Sequence, residues 1–186
     1  MEHIGIIFPI IIVSELLMSW LWVPAYYLHG ILVYKKSFST SVDSLSQINF
    51  NEVSSITKRP LSSKMLFHVI DYNYIACREQ LIDFTLFSYA PIMHGLIHLD
   101  RSSRNIFMKG YLNWSVVFGI LMIPYLVFYT DFFVGHEDFL KTSIYFFASV
   151  FAFSYFAQWR AYNRIYNAIK NGYGENVDLK MMGSKE

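Results

Sequence analysis

The stretch IGIIFPIIIVSELLMSWLWVPAYYLHGILVY, Ile4–Tyr34, decides how this sequence reads. Glu15 is its only acid, and no Lys or Arg occurs before Lys35. A helix needs about 20 residues to cross a hydrocarbon core of roughly 30 Å. The 31 residues of this run hold one crossing with an overhang, placed at residues 4–23. Trp20, Trp22, Tyr26 and Tyr27 then fall where an interfacial aromatic belt is expected, and Pro24 kinks or ends the helix. No basic stretch precedes the run and no small-residue cleavage site follows it, so the span is expected to be retained.

Composition points the same way. Of 186 residues, 54% are hydrophobic and 19% aromatic, while 16% are charged, well below the roughly 25% of an ordinary soluble domain. Too few charges remain to coat a water-facing surface. The net charge of +1 gives polyanions nothing to follow, which argues against nucleic acid as a partner. The single cysteine, Cys77, excludes an internal disulfide and any multi-cysteine metal cage.

Outward from the first run, residues 35–64 change character, with nine serines, five Lys or Arg and two acids. They read as a solvated cytoplasmic loop with one alternating portion, QINFNEV, suited to a short strand. Residues 65–110 mix charges with apolar groups and read as a helical segment lying on the membrane surface. Two apolar runs, 111–130 with no charge and 140–159 with only Lys141 near one end, joined by a short acidic linker, read as a transmembrane hairpin within 111–159. The tail, 160–186, starts as a continued helix with a stop signal at Asn171-Gly172.

Positive charge clusters in the loop at 35–64, in RSSRNIFMK at 101–109 and just after Trp159, whereas the linker at 131–138 carries only acids. By the positive-inside rule the three basic regions face the cytoplasm. The expected fold is therefore an all-α integral membrane protein. It has three transmembrane helices, with four as the rival count, plus the membrane-associated segment. Its N-terminus lies outside and its C-terminus inside, with a bacterial cell inner membrane as the expected location.

Several residues are singled out for chemistry. Glu15 would lie near the bilayer centre, where an ionised carboxylate costs at least ~2.5 kcal/mol. The plainest resolution is a hydrogen bond to a hydroxyl such as Ser149 or Ser143; a partner contact or a proton pathway are the others. His94 and His98 in HGLIH share one face of a helix and, with Asp100, form a candidate metal site. Two histidines fall short of a full ligand set, so no cofactor is expected. Ala148 and Ala152 with Ser149 form a small-residue seam suited to close helix packing. Lys58, Arg59, Lys64, Arg101, Arg104 and Lys109 either contact lipid headgroups or only set orientation. Cys77 suits palmitoylation or an inert buried thiol.

No phosphate loop, G-x-S-x-G elbow or H-E-x-x-H occurs. The leading functional expectation is a protein acting by contact in or at the bilayer, with the lipid, another membrane protein or its own copy as partner. It would be an assembly or regulatory subunit, or an exclusion or immunity-type factor. A histidine-dependent interfacial enzyme on a lipid-like substrate and a small Glu15 transporter are the alternatives.

Overall fold

A computed structural model describes residues 4–57, 64–80, 92–129 and 137–174. Helix α1 (Ile4–Trp20) and a short α2 (Pro24–Leu28) lead into strand β1 (Ile31–Ser39). A 3₁₀ turn (Leu45–Gln47) and α3 (Phe50–Thr57) follow, then β2 (Met65–Asp71), β3 (Tyr74–Glu79), β4 (Met93–Asp100) and β5 (Asn105–Leu112). Helices α4 (Trp114–Tyr129) and α5 (Glu137–Tyr173) complete the order.

The strands form one antiparallel sheet in the order β1-β5-β4-β3-β2. The described residues of the 65–110 segment thus build strands β2 to β5 instead of a surface helix. The reason lies in their period. In β4, Met93, Gly95, Ile97 and Leu99 point to one face while His94, Leu96, His98 and Asp100 point to the other, the period-two signature of a strand. In β5, Ile106, Met108 and Leu112 are core residues, while Asn105, Phe107 and Lys109 between them are half-buried. The QINFNEV portion forms no strand. It spans the end of the 3₁₀ turn and the start of α3, where the Asn49 carboxamide accepts the Glu52 amide at 3.3 Å as an N-cap.

The expectation of an all-α membrane protein is overturned. Among the described residues no helix is long and apolar enough to cross a membrane. Helix α1 has 17 residues and α4 has 16, each short of the about 20 a crossing needs. Helix α5 is long, but Ser143, Tyr145, Ser149, Ser154, Tyr155 and Gln158 break its apolar half. The three-span topology, the inner-membrane location and the inside and outside assignments lose their basis with it. Two of the basic clusters read as cytoplasmic markers belong to the sheet: Lys35 and Lys36 sit in β1, and Arg101 and Arg104 sit in the β4–β5 turn.

The C-terminal half of α5 packs on one face of the sheet. Tyr162, Ile165 and Ile169 join Ile75, Cys77, Met93, Ile97, Ile106 and Met108 in the main core. Tyr162 is fully buried over a notch left by Gly95 and Gly110, where added side chains would collide with its ring. The opposite face carries a smaller core in which Tyr26 and Tyr27 of α2 cover Ala76, Leu96 and Tyr111.

Register places the helices. Ile31 of β1 and Met93 of β4 both lie opposite Leu112 of β5. Helix α2 precedes β1 there, α4 follows β5 there, and the Gln158 carboxamide of α5 accepts the Ile92 amide there at 2.9 Å. Three apolar helical segments therefore leave the sheet at one end.

Candidate functional site

The polar residues of this end converge on Glu15. Its carboxylate is 4% exposed and accepts the main-chain amides of Trp114 and Ser115, each at 2.6 Å, one per oxygen. These are the first amides of α4, which have no partner inside the helix. A carboxylate there pairs them and meets the positive end of the helix dipole. The Tyr26 hydroxyl donates to the same carboxylate at 2.9 Å and lies 3.2 Å from Asn113 Oδ1. Glu15 thus ties α1 to α4, and through Tyr26 to α2 and the sheet. Ser149 does not reach it; its hydroxyl donates to the Tyr145 carbonyl on its own helix.

His94 lies beside this cluster at 1% exposure. Its Nδ1 is 3.1 Å from Asn113 Oδ1, and its ring is 4.1 Å from the Tyr26 ring. Tyr27 meets it edge-on at 5.6 Å, and Tyr111 stacks at 5.7 Å. Trp22 closes the group. The end of α1 bonds the Val23 amide to the Met18 carbonyl at 3.0 Å, which places Trp22 at a left-handed φ of 54° where glycine is usual. The indole offsets that strain by stacking on Tyr27 and His68 and by lying under the Arg78 guanidinium, 4.7 Å from its ring centre.

The tyrosines beside Glu15 and the Cys77 thiol are shifted away from neutrality. Burial, with the Glu15 carboxylate adding to it, pushes the Tyr26 phenol far up. Burial, partly offset by the Ser19 hydrogen bond and Arg78, pushes Tyr27 up to about 12, and burial alone pushes the Cys77 thiol, fully buried in the main core, up to about 12. Burial also lowers His94 and holds it neutral. Catalytic groups are tuned toward the working pH, whereas the tyrosines and the thiol are tuned away from it. The cluster is chemically a lock.

The His94 shift has a sign that can be checked. The folded chain disfavours the imidazolium, so below the ordinary pKa of 6.5 the unfolded chain binds more protons. Stability is full above that value and falls as pH drops toward the folded-state value. Urea midpoints at pH 7.5 and pH 5 are expected to show the loss, and His94→Gln is expected to flatten most of it. His98 is shifted down as well, by burial and by Lys109, so His98→Gln is the matched control.

The other residues singled out from sequence scatter. His94 and His98 do share a face, but of a strand, so four residues separate them by roughly 13 Å. His98 stacks on Tyr74 at 4.5 Å. Asp100 is taken up in the β4–β5 turn, where hydrogen bonds from Ser102 and Ser103 lower its carboxyl to about 2. Among the described residues no three His, Cys, Asp or Glu side chains gather as a metal site would need. Ala148 and Ala152 lie on the exposed part of α5. Lys58 and Arg59 fall outside the described residues. Lys64 sits at the start of β2, beside Gln80, whereas Arg101 and Arg104 turn at the opposite end of the sheet and Lys109 is half-buried in β5, so they form no common patch.

Sequence reasoning gives Trp22 and Tyr26 only a place in an interfacial belt and gives Asn113 no part in the site. The pattern Asn113-Trp114-Ser115, which fits a glycosylation acceptor, is the start of α4. A proline-led helix after Trp22 was the available signal for a chain reversal at that point. Comparisons with protein-family models, with curated proteins and with solved structures find no match to this chain.

Proposed function

We propose that this chain works by contact, docking its apolar helical end onto apolar helices of a partner protein as an assembly, regulatory or exclusion-type factor. One observation carries the reading. The polar groups at this end point inward to lock α1, α2 and α4 to the sheet, while large apolar side chains point out. Leu17 and Trp20 of α1, Leu121 of α4, and Tyr145, Phe147 and Phe153 of α5 are exposed by 48, 67, 62, 74, 60 and 66%. Apolar surface of this extent, gathered at one end, marks an interaction site. The exposed Ala148 and Ala152 supply a low point among the rings where a partner helix can approach closely. Glu15 spends its carboxylate on two main-chain amides and the Tyr26 hydroxyl, which supports contact over catalysis.

A photoreactive residue placed at Phe147 or Phe153 tests this in intact cells. The expected result is a discrete protein adduct at both positions, absent from the same probe at Ser102 on the far turn. Ala148→Phe, which fills the seam, is expected to remove the adduct while leaving the urea midpoint unchanged. Lipid adducts alone, or adducts insensitive to Ala148→Phe, would overturn the reading.

A further inference from the structure

The free edge of β2 borders an open groove. The Lys64 carbonyl accepts the Gln80 amide at 2.9 Å, so Lys64 faces β3. The Met65 carbonyl instead takes the Ser54 hydroxyl of α3 at 2.8 Å and faces away from β3. Main-chain groups alternate along a strand. Phe67 and Val69 therefore aim their N–H and C=O groups outward, as Met65 does. Among the described residues nothing bonds to them.

The opposite edge is treated differently. On β1 the Tyr166 hydroxyl donates to the Ser37 carbonyl at 2.9 Å and the Tyr155 hydroxyl lies 3.4 Å from the Val33 carbonyl. Lys35 and Lys36 add charge there. Blocking bonds and lysines are the usual protection of an edge against another strand. Among the described residues, α3 hydrogen-bonds the β2 edge at Met65, and its Phe50 ring packs on Phe67.

Beside it lie two connected hollows of about 570 and 400 Å³, sharing Leu45, Ser46, Val69 and Ile75. They run the length of β2, from Lys64 to Tyr72. Ile48, Phe50 and Ile75 supply apolar walls, and Val69 stands 61% exposed within them. Lys64 and Asp71 are the charged lining residues, one at each end.

We propose that this groove binds an extended peptide segment of a partner protein, which joins the sheet beside β2 as a further strand. Only an extended chain presents donors and acceptors at the spacing of Phe67 and Val69; a helix has spent its own and would leave these unpaired. One face of such a strand looks onto the apolar walls, so the peptide carries apolar residues at alternate positions. Lys64 selects an acidic residue at its end of the peptide. This site is separate from the helical end and does not rest on it.

The probe is a fluorescein-labelled peptide, Glu-Val-Thr-Val-Thr-Val-Thr-Val-Ser, titrated onto the full chain by anisotropy. Saturable binding is expected, with the Phe67 and Val69 amides exchanging at least about tenfold more slowly once the peptide is bound. Val69→Pro removes one outward donor without touching the β2–β3 ladder. It is expected to weaken binding at least about tenfold with an unchanged circular dichroism spectrum. The exchange measurement on the unaltered chain decides the matter should that variant fail to fold. No saturable binding, or unchanged exchange at both amides, would overturn the proposal. So would a dimer of the chain that Val69→Pro dissociates, since the occupant would then be a second copy.

Discussion

Replacing Glu15 with alanine is expected to lower stability by about 4 kcal/mol, among the largest effects of any single substitution in the chain. The change removes the acceptor of the part-buried amides of Trp114 and Ser115 and of the buried Tyr26 hydroxyl. It also removes the negative charge from the start of α4. Glu15→Gln keeps one acceptor but turns an NH₂ group toward a main-chain donor, so it is expected to recover less than half of the loss. Tyr26→Phe deletes one bond and leaves the two amides paired, so about 1 kcal/mol is expected. Urea unfolding followed by tryptophan fluorescence checks all three, since Trp22 and Trp114 flank the cluster. An unmoved midpoint for Glu15→Ala would show that α4 is held by packing alone.

Gly95→Ala is expected to cost about 3 kcal/mol, through overpacking. A Cβ at this position would sit 2.3 Å from the Cys77 sulfur and 2.8 Å from the Tyr162 hydroxyl oxygen. Both neighbours are fully buried, so neither can swing away. Gly110→Ala meets the Tyr162 ring and the Tyr34 Cβ at 3.1 Å and is expected to cost about 1 kcal/mol. Cys77→Ala, itself mildly destabilising, is expected to rescue part of the Gly95→Ala loss by removing the nearest atom. A double-mutant cycle measures this as coupling between the two positions. Additive losses would show that the Cys77 sulfur is not the atom an added Cβ at Gly95 meets.

Helical character at the ends of the chain was legible from residues alone, because Ile4–Trp20, Trp114–Tyr129 and much of Glu137–Tyr173 are long apolar runs. The centre was not read as a sheet. Short apolar runs dotted with charge suit a strand or a surface helix equally, and length is the usual arbiter. In MHGLIHLD the two histidines stand four apart, a spacing that satisfies period 3.6 and period 2 alike. Basic loops also look like topology markers, although RSSR is a tight turn that needs polar residues for its own reasons. Glu15 was visible as an anomaly, but its partners lie 99 and 100 residues away, and no local pattern announces a cap made at that range. Trp22 hid for the opposite reason: a left-handed position filled by tryptophan contradicts the preference that sequence reading relies on.

The pairing of β1 with β5 has a consequence for how the chain is made. Ile31 finds its neighbour in Leu112, so the first strand cannot join the sheet until more than half the polypeptide has left the ribosome. Helix α1, which precedes β1, waits longer still for the amides its Glu15 caps. Such non-local closures slow folding and prolong exposure of sticky segments. Nascent α1 is thus expected to depend on a chaperone during translation more than the completed molecule does.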